Sequence, residues 1–104
     1  MEFIEKIYTT TKEFPPTEMY GLTGQLRRAV ISIAMNIAEG SGANSDNEFK
    51  RFLNISLRSN YEIMCGLEVS QRLNYIRREE MEMLLSKSDE LSAMITGLKK
   101  KLNS

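Results

Sequence analysis

The stretch Phe14–Gly42, FPPTEMYGLTGQLRRAVISIAMNIAEGSG, decides the fold of this chain. It begins with two prolines, which stop any preceding helix, and it closes with a Gly-Ser-Gly break. Apolar residues between these breaks recur at steps of three and four, which predicts a helix over about residues 20–39. Glycine readily adopts the left-handed conformation of a helix C-terminus, so we expect Gly40 and Gly42 to end the helix. The apolar stripe consists of Leu22, Leu26, Ala29, Val30, Ile33 and Ile37.

This helix carries more apolar surface than one bundle can bury. Four more apolar residues lie beside the main stripe, namely Ile31, Ala34, Met35 and Ala38. A helix that is apolar over most of its circumference is normally buried on several sides, whereas a helix of a four-helix bundle needs to bury only one face. The surplus therefore predicts a second buried contact, most simply with another copy of the chain.

Three further helices are predicted around this stretch, over about residues 2–13, 46–73 and 78–102. Ser45 and Glu48 match a capping box at the start of the third helix, in which each side chain accepts a free backbone N–H of the other residue. Asn74 supplies a turn residue after that helix. The fourth helix has a heptad seam, the pattern of a left-handed bundle. The members of the seam are Met81, Leu84, Ser88, Leu91, Ile95, Leu98 and Leu102.

Together these segments predict an all-α chain. No window alternates apolar and polar residues for long enough to indicate a β-strand. With 104 residues, the chain suits a single domain over residues 1–104. Because the connections between the helices are short, neighbouring helices are expected to run antiparallel. The sequence therefore predicts an antiparallel up-down-up-down four-helix bundle.

The composition limits the classes of function. Fourteen basic and fourteen acidic residues balance to a formal charge of zero, whereas a dedicated nucleic-acid binder is usually basic. The single cysteine, Cys65, excludes an intramolecular disulfide and suits the cytoplasm. Histidine is absent, so we expect no metal site and no cofactor. No apolar run approaches the roughly 18 residues needed to span a bilayer, so no membrane association is expected.

The second helix also carries a narrow polar strip, made of Arg28, Ser32, Asn36 and Glu39. One interpretation is a contact for a ligand or RNA. The other is a hydrogen-bonded strip at a boundary between helices or subunits, where Arg28 pairs with Glu62 of the same or a neighbouring chain. Because the surrounding helix is apolar and a buried charge needs a partner, the sequence favours the structural interpretation.

Basic residues on the third helix form a second candidate site, namely Lys50, Arg51, Arg58 and Arg72. The three arginines are separated by multiples of seven, so they stay close to one side of the outer face. Repeated around a ring, such a stripe presents a positive band to phosphate oxygens. The sequence favours a solvated helix face instead, because a charged outer face is expected of any bundle helix. Lys99–Lys101 complement the negative end of the fourth helix.

No residue pattern supports catalysis. Without histidine, acid–base chemistry would fall to carboxylates, lysine, tyrosine or Cys65. Cys65 lies among Met64, Gly66 and Leu67 with no base beside it in the sequence, which is typical of an inert thiol. The sequence therefore predicts that the protein is not an enzyme.

Two consecutive stretches resemble a known family. Phe14–Gly42 and the following SDNEFKRFLNISLRSNYEIMCGLEVSQRLNYI, residues 45–76, resemble the bacterial four-helix-bundle family of 23S rRNA intervening-sequence proteins. The same superfamily includes the accessory variability proteins of diversity-generating retroelements. The resemblance implies an all-helical protomer, a ring-like homopentamer and no enzymatic activity. The chain departs from the family pattern in two places. Its first helix is short, which we expect to expose apolar surface on the other helices. Position 58 is arginine, where the family usually has a small residue.

Three hypotheses of function follow. The first is a non-enzymatic helical scaffold that self-associates and contacts RNA or a protein partner; it depends on the surplus apolar surface and on the resemblance. The second is a dedicated nucleic-acid-binding accessory protein of a retroelement reverse transcriptase, which predicts binding that weakens steeply with salt. The third is a small ligand-binding bundle or enzyme, which requires a pocket lined by the polar strip.

Overall fold

The computed structural model describes residues 1–102, which form four α-helices and no β-strand. The helices are α1 (Glu2–Thr11), α2 (Leu22–Ser41), α3 (Asp46–Arg72) and α4 (Arg78–Lys101). One turn of 3-10 helix, Pro16–Glu18, lies between α1 and α2. The described part of the chain is therefore all-α, as the sequence predicts.

The proline pair separates α1 from α2. α1 ends at Thr11, two residues before the predicted end, and the Thr11 hydroxyl donates to the Ile7 carbonyl at 2.7 Å. Phe14 then packs into the core ahead of the prolines. α2 begins at Leu22, two residues later than predicted, because the chain first completes the 3-10 turn.

The expectation that Gly40 and Gly42 end α2 in a left-handed conformation is wrong. The helix continues through Gly40 to Ser41, and Gly42 follows with a φ of −96°, so neither glycine is left-handed. Gly40 is buried, and a Cβ there would lie 2.6 Å from Phe49 Cδ1 and 2.9 Å from Phe52 Cβ. Glycine is therefore needed at position 40 because α2 approaches α3 closely there.

Local signals set the other helix ends. Ser45 precedes α3, and its hydroxyl oxygen accepts the Glu48 N–H at 3.1 Å. Asn74, in the turn after α3, has a φ of 63°, a left-handed conformation that asparagine tolerates better than most residues. α3 and α4 each end one residue before the predicted position, at Arg72 and Lys101.

The contacts between α2 and α3 show that the two helices run antiparallel. Leu26, near the start of α2, packs against Gly66 late in α3, where a Cβ would lie 2.7 Å from Leu26 Cδ2. Gly40, late in α2, packs against Phe49 early in α3. Small residues on both helices therefore allow a close approach along the whole interface.

α1 lies along α4 in the opposite direction. The Thr10 hydroxyl donates to Glu80 Oε2 at 3.0 Å, and Glu2 pairs with Lys87 at 3.7 Å. α1 has 10 residues, whereas α4 has 24, so α1 covers only part of its neighbour. The core between the four helices contains Phe3, Ile7, Phe14, Leu26, Ala29, Val30, Ile33, Leu53, Ile63, Leu67, Ile76, Leu84 and Ile95.

Candidate functional site

The polar strip of α2 is divided between two environments. Ser32 contacts α3, where the Ser59 hydroxyl donates to Ser32 Oγ at 2.9 Å. Asn36 Nδ2 donates to the Ser32 carbonyl at 2.8 Å and to Ser32 Oγ at 3.1 Å. This half of the strip is thus a hydrogen-bonded contact between helices, and Ser59 is a member that the sequence reasoning did not assign.

The charged residues of the strip lie apart from one another. Arg28 is exposed, and its guanidinium folds back toward Gly24 on α2. Glu39 is exposed near the end of α2. Glu62 lines a different concavity, beside Arg58 of α3. Arg28 and Glu62, both within the described residues, form no ion pair inside the protomer, so their pairing between chains stays a prediction.

The basic stripe of α3 does not converge on one place. Lys50 lies beside Lys99 and Lys100 of α4 at one end of the bundle. Arg51 pairs with Glu48 at 3.9 Å, and its guanidinium lies 4.8 Å from the centre of the Phe52 ring. Arg58 belongs to the concavity that contains Glu62, and Arg72 is exposed in the last turn of α3.

A different pair of arginines does converge, at a cleft between α1 and α2. The Arg27 guanidinium lies 4.7 Å from the centre of the Tyr8 ring, and Arg27 Nε donates to Thr11 Oγ1 at 2.9 Å. Arg28 and Ser32 line the same concavity, which has a volume of about 440 Å³. Arg27 was not predicted as a site residue from the sequence, because both of its partners lie on α1, across the proline turn. We call this the Tyr8–Arg27–Arg28 cleft.

Two helix faces expose large apolar side chains. On α2, Met35 is 58% exposed and Ala38 is also exposed, so part of the surplus apolar surface of the helix remains open to solvent in the protomer. On α3, Tyr61 is 70% exposed and Val69 46%. Tyr61 and Val69 line a concavity of about 390 Å³ that also contains Cys65 and the charged residues Arg58 and Glu62. We call these the α2 face and the α3 face.

A largely buried polar network joins α3 to α4. Asn60 Nδ2 donates to the Ser88 carbonyl at 2.9 Å and to Ser92 Oγ at 2.8 Å. In return, the Ser88 hydroxyl donates to Asn60 Oδ1 at 2.6 Å. Because both side chains are completely buried and mutually satisfied, the network fixes the register of the two helices.

Glu18 links the start of α2 to the turn between α3 and α4 through two hydrogen bonds. Its Oε1 accepts the Leu22 N–H at 3.1 Å, and its Oε2 accepts the Tyr75 hydroxyl at 2.8 Å. The Leu22 N–H, followed by the Tyr75 hydroxyl, holds the pKa of Glu18 below its ordinary value of 4.5. The same hydrogen bond raises the pKa of Tyr75 above 10.0.

Glu18→Gln is expected to reduce the acid sensitivity of folding. A carboxyl whose folded pKa is lowered stabilises the fold above its unfolded pKa, and that contribution is lost as pH falls through the folded value. The urea midpoint of the natural chain should therefore fall below about pH 4.5, and more steeply than that of the variant. Urea titrations between about pH 3 and pH 7 measure both slopes. Equal slopes would contradict the assignment, and Glu13→Gln, at an exposed position, is the control.

The described residues 1–102 contain no group of three or more cysteine, aspartate or glutamate side chains placed to hold a metal ion. No helix among them is long and apolar enough to cross a bilayer. The arrangement thus consists of one arginine cleft, two apolar faces and one buried network.

Comparison with known proteins identifies a family and a similar solved structure. Residues 1–97 match the model of the family described as 23S rRNA-intervening sequence protein. The chain is also similar to a protein of unknown function from the S23 ribosomal protein family of Bacteroides thetaiotaomicron, known from its crystal structure. The two share 29% sequence identity with a TM-score of 0.84, over 96% of this chain and 94% of that chain. No curated protein matches the chain.

Proposed function

The chain belongs to the 23S rRNA-intervening sequence protein family, and on that premise we propose that it is a non-enzymatic helical scaffold. In this proposal, copies of the chain assemble through their apolar helix faces. The assembly contacts RNA or a protein partner in the cytoplasm. The observation that carries the proposal is the apolar surface that the fold leaves exposed on α2 and α3.

The exposed α2 face supports burial against a second copy. Met35 is 58% exposed, although it stands on a helix whose opposite side is the centre of the core. Ala38, one turn further along, is also exposed. Removing apolar surface from water contributes about 25 cal/mol per Å², so contiguous apolar faces favour association.

Two different faces favour a ring over a symmetric dimer. The α2 face and the α3 face lie on separate helices, and a contact between them is heterologous, with the α2 face of one copy on the α3 face of the next. Heterologous contacts form a ring when the rotation between copies closes. The resemblance described above implies five copies.

The packing of the polar strip supports a non-enzymatic role. A ligand-binding bundle or enzyme would gather the polar side chains of the strip around one pocket, whereas Arg28 and Ser32 line the open cleft and Asn36 and Glu39 do not. Ser32 and Asn36 instead form hydrogen bonds with each other, and Ser32 also bonds Ser59 of α3. Those polar atoms serve the contact between two helices, which favours the scaffold over a small enzyme.

Charged substitutions on the two faces test the proposal. We expect Met35→Glu on the α2 face and Tyr61→Glu on the α3 face each to sediment as a monomer of 11.9 kDa, because a charge cannot be buried in an apolar contact without a partner. Met94→Glu, on α4, is the matched control, since Met94 is 70% exposed and lies outside both faces. It should sediment as the natural oligomer does.

Mixing the two monomeric variants sharpens the test. Each variant keeps one intact face, so in a heterologous assembly an equimolar mixture forms a one-to-one complex and nothing larger. Sedimentation velocity distinguishes the two species. A mixture that stays monomeric, or an oligomer that survives both substitutions, would show that these faces do not mediate assembly.

A further inference from the structure

We propose that the Tyr8–Arg27–Arg28 cleft binds the backbone phosphates of single-stranded RNA. The inference rests on the RNA-contacting role proposed above and names the surface that performs it. It also moves the contact from the stripe on α3, where the basic residues are dispersed, to the junction of α1 and α2.

Arg27 is held in place before any ligand arrives. Thr11 is only 2% exposed, and its hydroxyl proton is donated to the Ile7 carbonyl, so Thr11 Oγ1 is left to accept from Arg27 Nε at 2.9 Å. The Tyr8 ring supports the guanidinium at 4.7 Å. A guanidinium fixed through Nε keeps its two terminal nitrogens for another acceptor.

Arg28 supplies a second guanidinium to the same concavity. Gly24 and Ile31 line the concavity between the two arginines. Gly24 has no side chain, and a Cβ there would lie 2.9 Å from Arg28 Nη1. The glycine therefore lets the Arg28 guanidinium lie low over α2, on the same concavity as Arg27.

The two arginines have no carboxylate of their own. Within residues 1–102, neither Arg27 nor Arg28 forms an ion pair, whereas Arg51, Arg78 and Lys87 each pair with a glutamate. Guanidinium groups match the oxygens of phosphates and carboxylates with two parallel hydrogen bonds. Because neither guanidinium forms an ion pair and Arg27 is held in position, the cleft fits an anionic ligand.

Phosphate suits this cleft better than a protein carboxylate does. Successive phosphates of one strand offer oxygens to each guanidinium, whereas one carboxylate is satisfied by a single bidentate arginine. The floor at Gly24 and Ile31 is apolar and accommodates the face of a sugar or base. In a ring the cleft recurs in every copy, so a neutral protomer still presents several phosphate sites to one strand.

Fluorescence anisotropy with a labelled oligouridylate of about 12 nucleotides tests the assignment, since that probe has little structure of its own. The double variant Arg27→Lys, Arg28→Gln lacks both planar guanidinium groups and one positive charge. We expect its affinity for the RNA to fall at least about tenfold. The slope of log affinity against log salt, from about 50 to 200 mM, should also become shallower. The control Arg51→Gln, Arg72→Gln, on α3 and outside the α3 face, should change affinity less than about twofold.

Three results would overturn the inference. One is that the natural chain does not bind the RNA. Another is that the α3 control loses affinity while the cleft variant does not. The third is that poly-glutamate, at equal charge concentration, displaces the RNA, which would assign the cleft to an acidic protein partner.

A mass measurement on the same variants separates this inference from the scaffold proposal. If Arg28 pairs with Glu62 of a neighbouring copy, Arg28→Gln and Glu62→Gln both reduce the oligomer mass, and the cleft assignment is wrong. If Arg28 binds phosphate, the mass is unchanged and only RNA binding falls. Failure of assembly in the natural chain would contradict the scaffold proposal instead.

Discussion

Replacing Asn60 by alanine is expected to lower the free energy of unfolding by about 3 kcal/mol. The substitution removes an amide that makes three hydrogen bonds with Ser88 and Ser92 inside the α3–α4 contact. It also leaves a cavity and a buried serine hydroxyl that has lost its acceptor. Urea unfolding followed by far-ultraviolet circular dichroism measures the change.

Asn54→Ala is the matched control for this experiment. Asn54 lies on the same helix but is exposed, so its removal should change stability by less than about 0.5 kcal/mol. Similar losses for the two variants would mean that the network contributes nothing specific. Asn60→Asp adds a second check, because a buried carboxylate cannot donate to the Ser88 carbonyl.

Replacing Gly66 by leucine is expected to destabilise the fold by about 2 kcal/mol. Even a Cβ at this position would lie 2.7 Å from Leu26 Cδ2, and Leu26 is almost fully buried. A larger side chain must push α2 away from α3, which also weakens the bond from Ser56 to the Ile33 carbonyl. The measurement is the urea midpoint.

Gly97→Leu should change stability in the opposite direction. A Cβ at Gly97 would meet nothing within 4 Å, and the residue lies inside α4. Leucine has the better helix propensity, so we expect a gain of about 0.8 kcal/mol. If Gly66→Leu were also stabilising, the close approach of α2 and α3 would not be a feature of the fold.

Features set by neighbouring residues could be predicted from the sequence. Ser45 caps the third helix because its own hydroxyl reaches a backbone N–H three residues later. Asn74 turns the chain because asparagine tolerates a positive φ. The heptad seam of α4 faces the core because its period matches the helix, with Leu84, Ser88 and Ile95 fully or almost fully buried.

Features that depend on the register between helices could not be predicted from the sequence. Gly40 carries the signal of a helix end, but packing against Phe49 and Phe52 keeps it inside the helix. Asn60 and Ser88 both lie on predicted buried faces. Their direct bond depends on how two helices slide past each other, which no local pattern specifies.

The candidate site also contains one residue that the sequence pattern identifies and one that it does not. Arg28 stood out because it follows the period of the polar strip on α2. Arg27 did not, because its role depends on Tyr8 and Thr11, which the Phe14–Pro16 turn brings beside it. A pairing between Arg28 and Glu62 inside one chain was a reasonable prediction from charge alone, but the two side chains line different concavities.

The number of chains in the native particle tests the scaffold proposal most directly. Native mass spectrometry or sedimentation equilibrium of the unmodified protein at micromolar concentration gives that number. The proposal predicts a closed homo-oligomer, and the five copies that it includes correspond to five times the 11.9 kDa chain. A stable particle of 11.9 kDa, showing no association as the concentration rises, would contradict it.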